Sequence, residues 1–245
     1  MLRRLRGRDG VHNMTANGLK SPRPAGAVRV LLLVEVFGYV AVAIAFIWLA
    51  LPARGAVRWY HVAFFIFAGC FPICMNLLHG DRPRDSGLCV DNLRGSIGEV
   101  ALATAAMGCL VAGVGLAAGG FHWVSWKRFG DMMLGYPAWG IAQQYVIQAF
   151  ILRRLRQAGL VGPLAVVATA VLFGLAHAPN WALAGSVAGA AVVWCTLFLR
   201  RANLITLGVS HGVLAVLLYH AWPEEWLHRL TIGWTFVKHS ANAAG

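Results

Sequence analysis

The feature that most constrains this chain is a series of apolar stretches, each long enough or nearly long enough to cross a bilayer. About 30 Å of hydrocarbon takes a helix of about 20 residues. Seven stretches qualify: 30–51, 59–78, 97–118, 133–152, 164–178, 182–199 and 204–222. The fifth is the shortest. The fourth is the least apolar, because it carries Gln143, Gln144 and Gln148. The expectation is an all-α, polytopic membrane helix bundle of about seven transmembrane helices. Composition agrees: 59% of the 245 residues are hydrophobic and 12% are charged. A soluble domain carries about 25% charged residues, which coat its surface. The same arithmetic excludes disorder.

The net charge of +12 would suggest nucleic acid in a soluble protein. In a membrane protein it suggests topology, because Lys and Arg collect on the cytoplasmic side. With the N-terminus cytoplasmic, the inner segments hold Arg3, Arg4, Arg6, Arg8, Lys20, Arg23, Arg29, Arg82, Arg84, Arg94, Arg153, Arg154, Arg156, Arg200 and Arg201. That is fifteen of the 21 cations. The outer segments hold Arg54, Arg58, Lys127, Arg128, Arg229 and Lys238, the other six. This bias accounts for most of the charge without a nucleic-acid partner.

Three regions follow. Residues 1–29 are basic and rich in Gly and Pro, and read as a cytoplasmic tail. The apolar run after them is too long for a signal peptide. Residues 30–222 form the bundle. Residues 223–245 are a C-terminal tail whose Trp226, Trp234 and Phe236 suit the outer surface. Trp123, Trp126 and Phe129 near Lys127 suggest an interfacial segment before the fourth span. Gly185 and Gly189 form a GxxxG, and Gly113 and Gly115 a second small-residue tract, both read as close helix packing. The five cysteines show no CxxC and read as structural thiols.

Polar side chains inside a span are costly and therefore candidate functional residues. His61, Asn76 and His220 lie near span ends and suit structural roles. Glu35 and Glu99 lie about one turn inside the inner boundary. They can reach the headgroups, pair with arginines such as Arg29 and Arg94, or serve as a general base. Gln144 and Gln148 are four apart and share a helical face, while Gln143 points about 100° away. Stacked amides facing lipid would lose their hydrogen bonds, so that face looks into the bundle. Amide bonding between helices alone would account for it. His177 follows Phe173 and precedes Pro179; His211 follows Ser210. Neutral imidazoles can bind a divalent metal or pass protons near neutral pH.

The order of these elements resembles the CPBP family of intramembrane proteases, which includes Rce1-like CAAX prenyl endopeptidases and the bacteriocin-processing Abi proteins. The family's EExxxR corresponds to Gln143-Gln144-Tyr-Val-Ile-Gln148. Its FxxxH corresponds to Phe173-Gly-Leu-Ala-His177. Its histidine followed four later by a polar residue corresponds to His211-Gly-Val-Leu-Ala215. The resemblance covers residues 135–219. It implies peptide-bond hydrolysis in or at the membrane, by a metalloprotease-like site in which a glutamate activates water and histidines support it or hold a metal. Here both glutamates and the arginine are glutamines, and the final polar residue is Ala215. A glutamine amide is not a base, though it can orient water or a carbonyl.

The resulting expectation is a CPBP-like hydrolase with Gln143, Gln144, Gln148, His177 and His211 at its site. His177 and His211 are candidate ligands of a divalent metal such as zinc, whose bound water would replace the glutamate. Its partners are membrane lipids and a membrane-associated peptide or lipid-like substrate. The compact, alanine-rich chain suggests a bacterial inner membrane. Alternatives are a non-proteolytic membrane enzyme acting on a lipid or small molecule, and a catalytically silent binding or scaffold protein. A transporter is less supported, since no inverted halves are visible. A common site has one geometric requirement. The fifth helix must be displaced, tilted or broken, because Gln144 and His211 lie about 12 Å from the inner end and His177 lies near the outer end.

Overall fold

A computed structural model describes residues 26–49 and 58–243; most of the expected N-terminal tail falls outside these. The described residues are helical: α1 (Gly26–Leu49), α2 (Trp59–Leu78), α3 (Leu93–Ala117), α4 (Trp126–Gln144), a π-helical segment (Tyr145–Leu152), α5 (Arg153–Gln157), α6 (Gly162–Leu175), α7 (Trp181–Arg200), α8 (Leu204–Ala221), α9 (Glu224–Leu227), a 3₁₀ turn (His228–Leu230) and α10 (Gly233–Ala243). Five of them, α1, α2, α3, α7 and α8, are long and apolar enough to cross a membrane. The expected fourth and fifth spans are not among these five. The fourth is the run from α4 through α5, less apolar because of its glutamines and of Lys127, Arg128 and Asp131. The fifth, α6, has only 14 residues, about 21 Å at 1.5 Å per residue.

The outside of the bundle is apolar. Leu102, Leu110 and Leu116 of α3 are 69–75% exposed, as a lipid-facing helix requires and a soluble one forbids. This is an integral membrane protein. Its central helix is α8, buried on nearly all sides because α3, α4 and α7 pack around it. Such burial is what a helix apolar all round adopts.

The most extensive packing lies between α4 and α8, at glycines other than those singled out from sequence. A Cβ on Gly208 would stand 2.5 Å from Ile141 Cα, and one on Gly212 2.5 Å from Pro137 Cα. From the other side, a Cβ on Gly140 would collide with the Gly208 carbonyl and press on His211. The two backbones therefore touch along Gly208-Val-Ser-His-Gly212. Gly185, Gly189 and Gly113 would each meet nothing within 4 Å, so the expected packing role is not theirs. Gly115 does pack closely, against the Ala221 carbonyl.

A buried charge network closes the arginine-rich end. Arg154, fully buried, donates from Nε to Glu35 Oε2 (3.1 Å), from Nη1 to Asp81 Oδ2 (3.3 Å) and Gln157 Oε1 (2.6 Å), and from Nη2 to Asn76 Oδ1 (2.9 Å). Arg153 pairs with Asp81 at 2.6 Å and also donates to the Asp85 carbonyl. His79 Nε2 lies 2.8 Å from Glu35 Oε1. Glu99 pairs with Arg201 at 3.3 Å. The arginine partners of Glu35 and Glu99 are therefore over 100 residues away, at Arg154 and Arg201 rather than Arg29 and Arg94. Close in sequence did not mean close in space, because these helices bring their partners from opposite ends of the chain.

The interfacial Trp126 and Phe129 form the first turn of α4, capped by Ser125 Oγ, which accepts from Arg128 N at 3.1 Å. All five cysteines are free thiols. In the loop before α3, burial and then the Asp91 carboxylate push the Cys89 thiol up, which agrees with a structural role.

Two substitutions to alanine separate the two glycine sets. Gly212→Ala forces α4 from α8 and is expected to destabilise by about 1–3 kcal/mol or more. Gly189→Ala is expected to be neutral or to stabilise by up to about 1 kcal/mol. Unfolding in detergent measures both. Arg154→Met takes the buried cation from between Glu35 and Asp81, leaving them only His79 and Arg153, and should destabilise by about 3 kcal/mol, visible in the same assay.

Candidate functional site

The site begins where α4 changes register. From Tyr145 to Leu152 the helix widens to π geometry, a feature frequent at functional positions. Asn76 of α2 braces it: Nδ2 donates to Tyr145 Oη (3.0 Å) and to the Ala149 carbonyl (3.1 Å). The brace links the segment to Arg154, since Asn76 Oδ1 is one of that guanidinium's acceptors.

Gln144 and Gln148 flank the start of this segment, and both are fully buried. Gln148 Nε2 donates to Gln144 Oε1 at 3.0 Å, so they stack on one face as their spacing requires. With Oε1 engaged, Gln144 turns its Nε2 toward His211 Nδ1 across the α4–α8 crossing, at 3.4 Å. Gln148 Oε1 is buried without a hydrogen-bond partner. Gln143 is half-buried on a different face and does not join them.

His177 arrives by a different route. Helix α6 stops at Leu175, and His177 lies in the turn beyond it. Its Nδ1 donates to the Phe173 carbonyl at 2.8 Å. The Phe173 ring stands edge-on to both imidazoles, with centroids 4.8 Å from His177 and 5.9 Å from His211. The apparent mismatch of depth has a simple cause. The helical run continues to Gln157, so Gln144 stands about 20 Å from that end, against about 22 Å for His177 from the start of α6. The fifth helix is short, and it ends two residues before His177.

The hydrogen bonds fix the two tautomers. A carbonyl only accepts, so His177 Nδ1 carries the proton and Nε2 of the neutral ring is bare. In the orientation that the bond from Gln148 gives Gln144, an amide nitrogen faces His211 Nδ1 at 3.4 Å; it only donates, so in the neutral ring Nδ1 is bare and Nε2 carries the proton. The two rings therefore present opposite functions: an acceptor on His177 and a donor on His211.

Three further residues support His211, and sequence reading passed over them. Trp194, 2% exposed, stacks on the His211 ring at 4.7 Å and 22°. Its Nε1 donates to Ser210 Oγ at 3.1 Å. Ser210 shares a 2.6 Å hydrogen bond with Thr104 Oγ1. A tryptophan in an apolar helix gives no sequence signal apart from its size. Ser210 did stand beside His211.

Among the described residues no group of three or more His, Cys, Asp or Glu side chains gathers. A catalytic zinc takes three protein ligands. The two imidazoles fall short of that set, and Glu99, the carboxylate considered as an imported base, is tied to Arg201.

Residues 125–217 match the family model of Rce1-like type II CAAX prenyl endopeptidases. The matched stretch runs from the cap of α4 through most of α8 and holds Gln144, Gln148, His177, Trp194, Ser210 and His211. The resemblance to CPBP proteases is borne out over that stretch. No curated protein and no solved structure matches the chain.

Trp194→Phe keeps a ring against His211 but loses the indole N–H, and should destabilise by about 1 kcal/mol. Trp194→Ala should destabilise by about 3–5 kcal/mol. An unchanged stability in Trp194→Phe, measured by unfolding in detergent, would mean that the hydrogen bond to Ser210 contributes nothing.

Proposed function

We propose that this chain hydrolyses a peptide bond of a membrane-associated substrate at a site without a carboxylate. The observation that carries the reading is the opposite protonation of the two imidazoles. His177 Nε2 holds a free lone pair, and a neutral imidazole is a competent general base near pH 7. It takes a proton from water as the water attacks the scissile carbonyl. His211 Nε2–H donates to the carbonyl oxygen as negative charge grows there, the role of an oxyanion-hole donor. Gln144 holds His211 in that tautomer. The proton on His177 then passes to the leaving amine. Gln148 Oε1, the unpartnered acceptor, suits a substrate amide N–H.

No step is assigned to a metal, because the gathered donors are too few. The setting we propose is a bacterial inner membrane, with lipids surrounding the bundle; the alanine-rich, compact chain supports it.

The test is an assay of the purified protein on prenylated and unprenylated membrane peptides, with and without added zinc. Cleavage without zinc is expected, reduced by about 100-fold or more in His177→Ala and in His211→Ala. Cleavage only with zinc would overturn the base assigned to His177. A phenotype of the host that survives both histidine changes would favour a silent scaffold. Loss of a lipid or small-molecule product in both, with peptides untouched, would favour a non-proteolytic enzyme.

A further inference from the structure

The segment after α8 forms more than a tail. Residues 223–243 fold as α9, the 3₁₀ turn and α10, and α10 packs on α1. Within the turn His228, Arg229 and Leu230 have φ of 44°, 57° and 59°. Three successive side-chain-bearing residues in the left-handed region are unusual. Such a conformation persists only where its surroundings hold it.

What holds it is Asn180, fully buried. Its Nδ2 donates to the Leu227 carbonyl at 2.8 Å and to the Thr231 carbonyl at 3.1 Å. One amide group thus grips the left-handed turn on both flanks. Its Oδ1 accepts from Leu183 N at 3.1 Å and caps α7. Its own N–H donates to the His177 carbonyl at 3.2 Å. A second tie runs from Gly233 N to the Ala178 carbonyl at 3.0 Å. Gly233 sits at φ 59°, where a Cβ would press on Ile47 of α1.

We infer that Asn180 is a positioning residue that latches the C-terminal segment to the turn carrying His177, so that the two open and close as one unit. Both ties end on residues 177–180, and the strained turn cannot stay in place without its two acceptors being filled. The inference rests on His177 belonging to the site. Its test reads backbone opening rather than catalysis, so its failure leaves the hydrolase reading intact, and the reverse.

Asn180→Asp isolates the latch. Aspartate caps α7 as well as asparagine does, but it has no N–H to offer the Leu227 and Thr231 carbonyls. Hydrogen exchange of the full chain in detergent, read by mass spectrometry, is the measurement. Exchange should rise about tenfold in residues 224–232, from two lost hydrogen bonds, and rise with it in residues 176–178. Residues 183–200 should keep their protection. A rise confined to 224–232, or no rise in either, would overturn the inference. If Asn180→Asp opens α7 as well, Gly233→Ala decides. It loosens the latch from the other side with Asn180 intact. A paired rise in both segments supports the inference, and an unpaired one rejects it.

Discussion

The rest of the structure depends on the backbone contact between α4 and α8. Lipid tails are as apolar as leucine, so membrane helices gain little by hiding apolar side chains from them. Close packing has to supply the association. Gly140, Gly208 and Gly212 allow it here, because no side chain separates the two backbones at those points. His211 lies between Gly208 and Gly212 on α8, and Gln144 lies one turn after Gly140 on α4. The contact that joins the helices is thus also what brings amide and imidazole to 3.4 Å. The packing and the site are one feature, and disturbing the first moves the second.

Polar groups inside the bundle are sorted into two zones. Formal charges sit at the arginine-rich end, where Arg154 is satisfied by two carboxylates, an asparagine and a glutamine. Deeper in, the site holds amides, hydroxyls and imidazoles but no formal charge. An unpaired charge there would carry a large desolvation penalty, so a site without charges needs no counter-charge. Asn76 joins the zones, with Arg154 on one side of its amide and the π-helical segment on the other. The register of that segment, and so the direction of Gln148, is coupled to the charge network.

The spans were legible in the sequence because their signal is local: a run of apolar residues predicts a membrane helix whatever its neighbours are. The matched histidines and glutamines were legible for the same reason, since motif spacing survives in one dimension. What failed depended on three dimensions. Gly185 and Gly189 have the spacing of a packing motif but face open space, while the working pair Gly208 and Gly212, which frames a histidine, drew no packing reading from the sequence. Glu35 finds Arg154, 119 positions away, which no local pattern encodes. The π-helical turn leaves no mark on composition. Helix α4 begins seven residues before the expected span, because Lys127, Arg128 and Asp131 hide its first turn from a hydropathy reading.

The two glutamines also bear on what the altered motif means. A carboxylate at position 144 would only accept hydrogen bonds. It would draw the proton of His211 to Nδ1 and leave Nε2 bare, making His211 a base. An amide whose oxygen is already taken by Gln148 does the opposite: it donates to Nδ1 and leaves the proton on Nε2. Exchanging glutamate for glutamine at this position therefore does more than remove a base. It inverts the function of the imidazole beside it, from acceptor to donor. The free lone pair then falls to His177, whose Nδ1 is committed to a carbonyl that cannot be exchanged by mutation. On the proposed reading, the site is a rearranged set of donors and acceptors, with each ring holding the role that its neighbour leaves open.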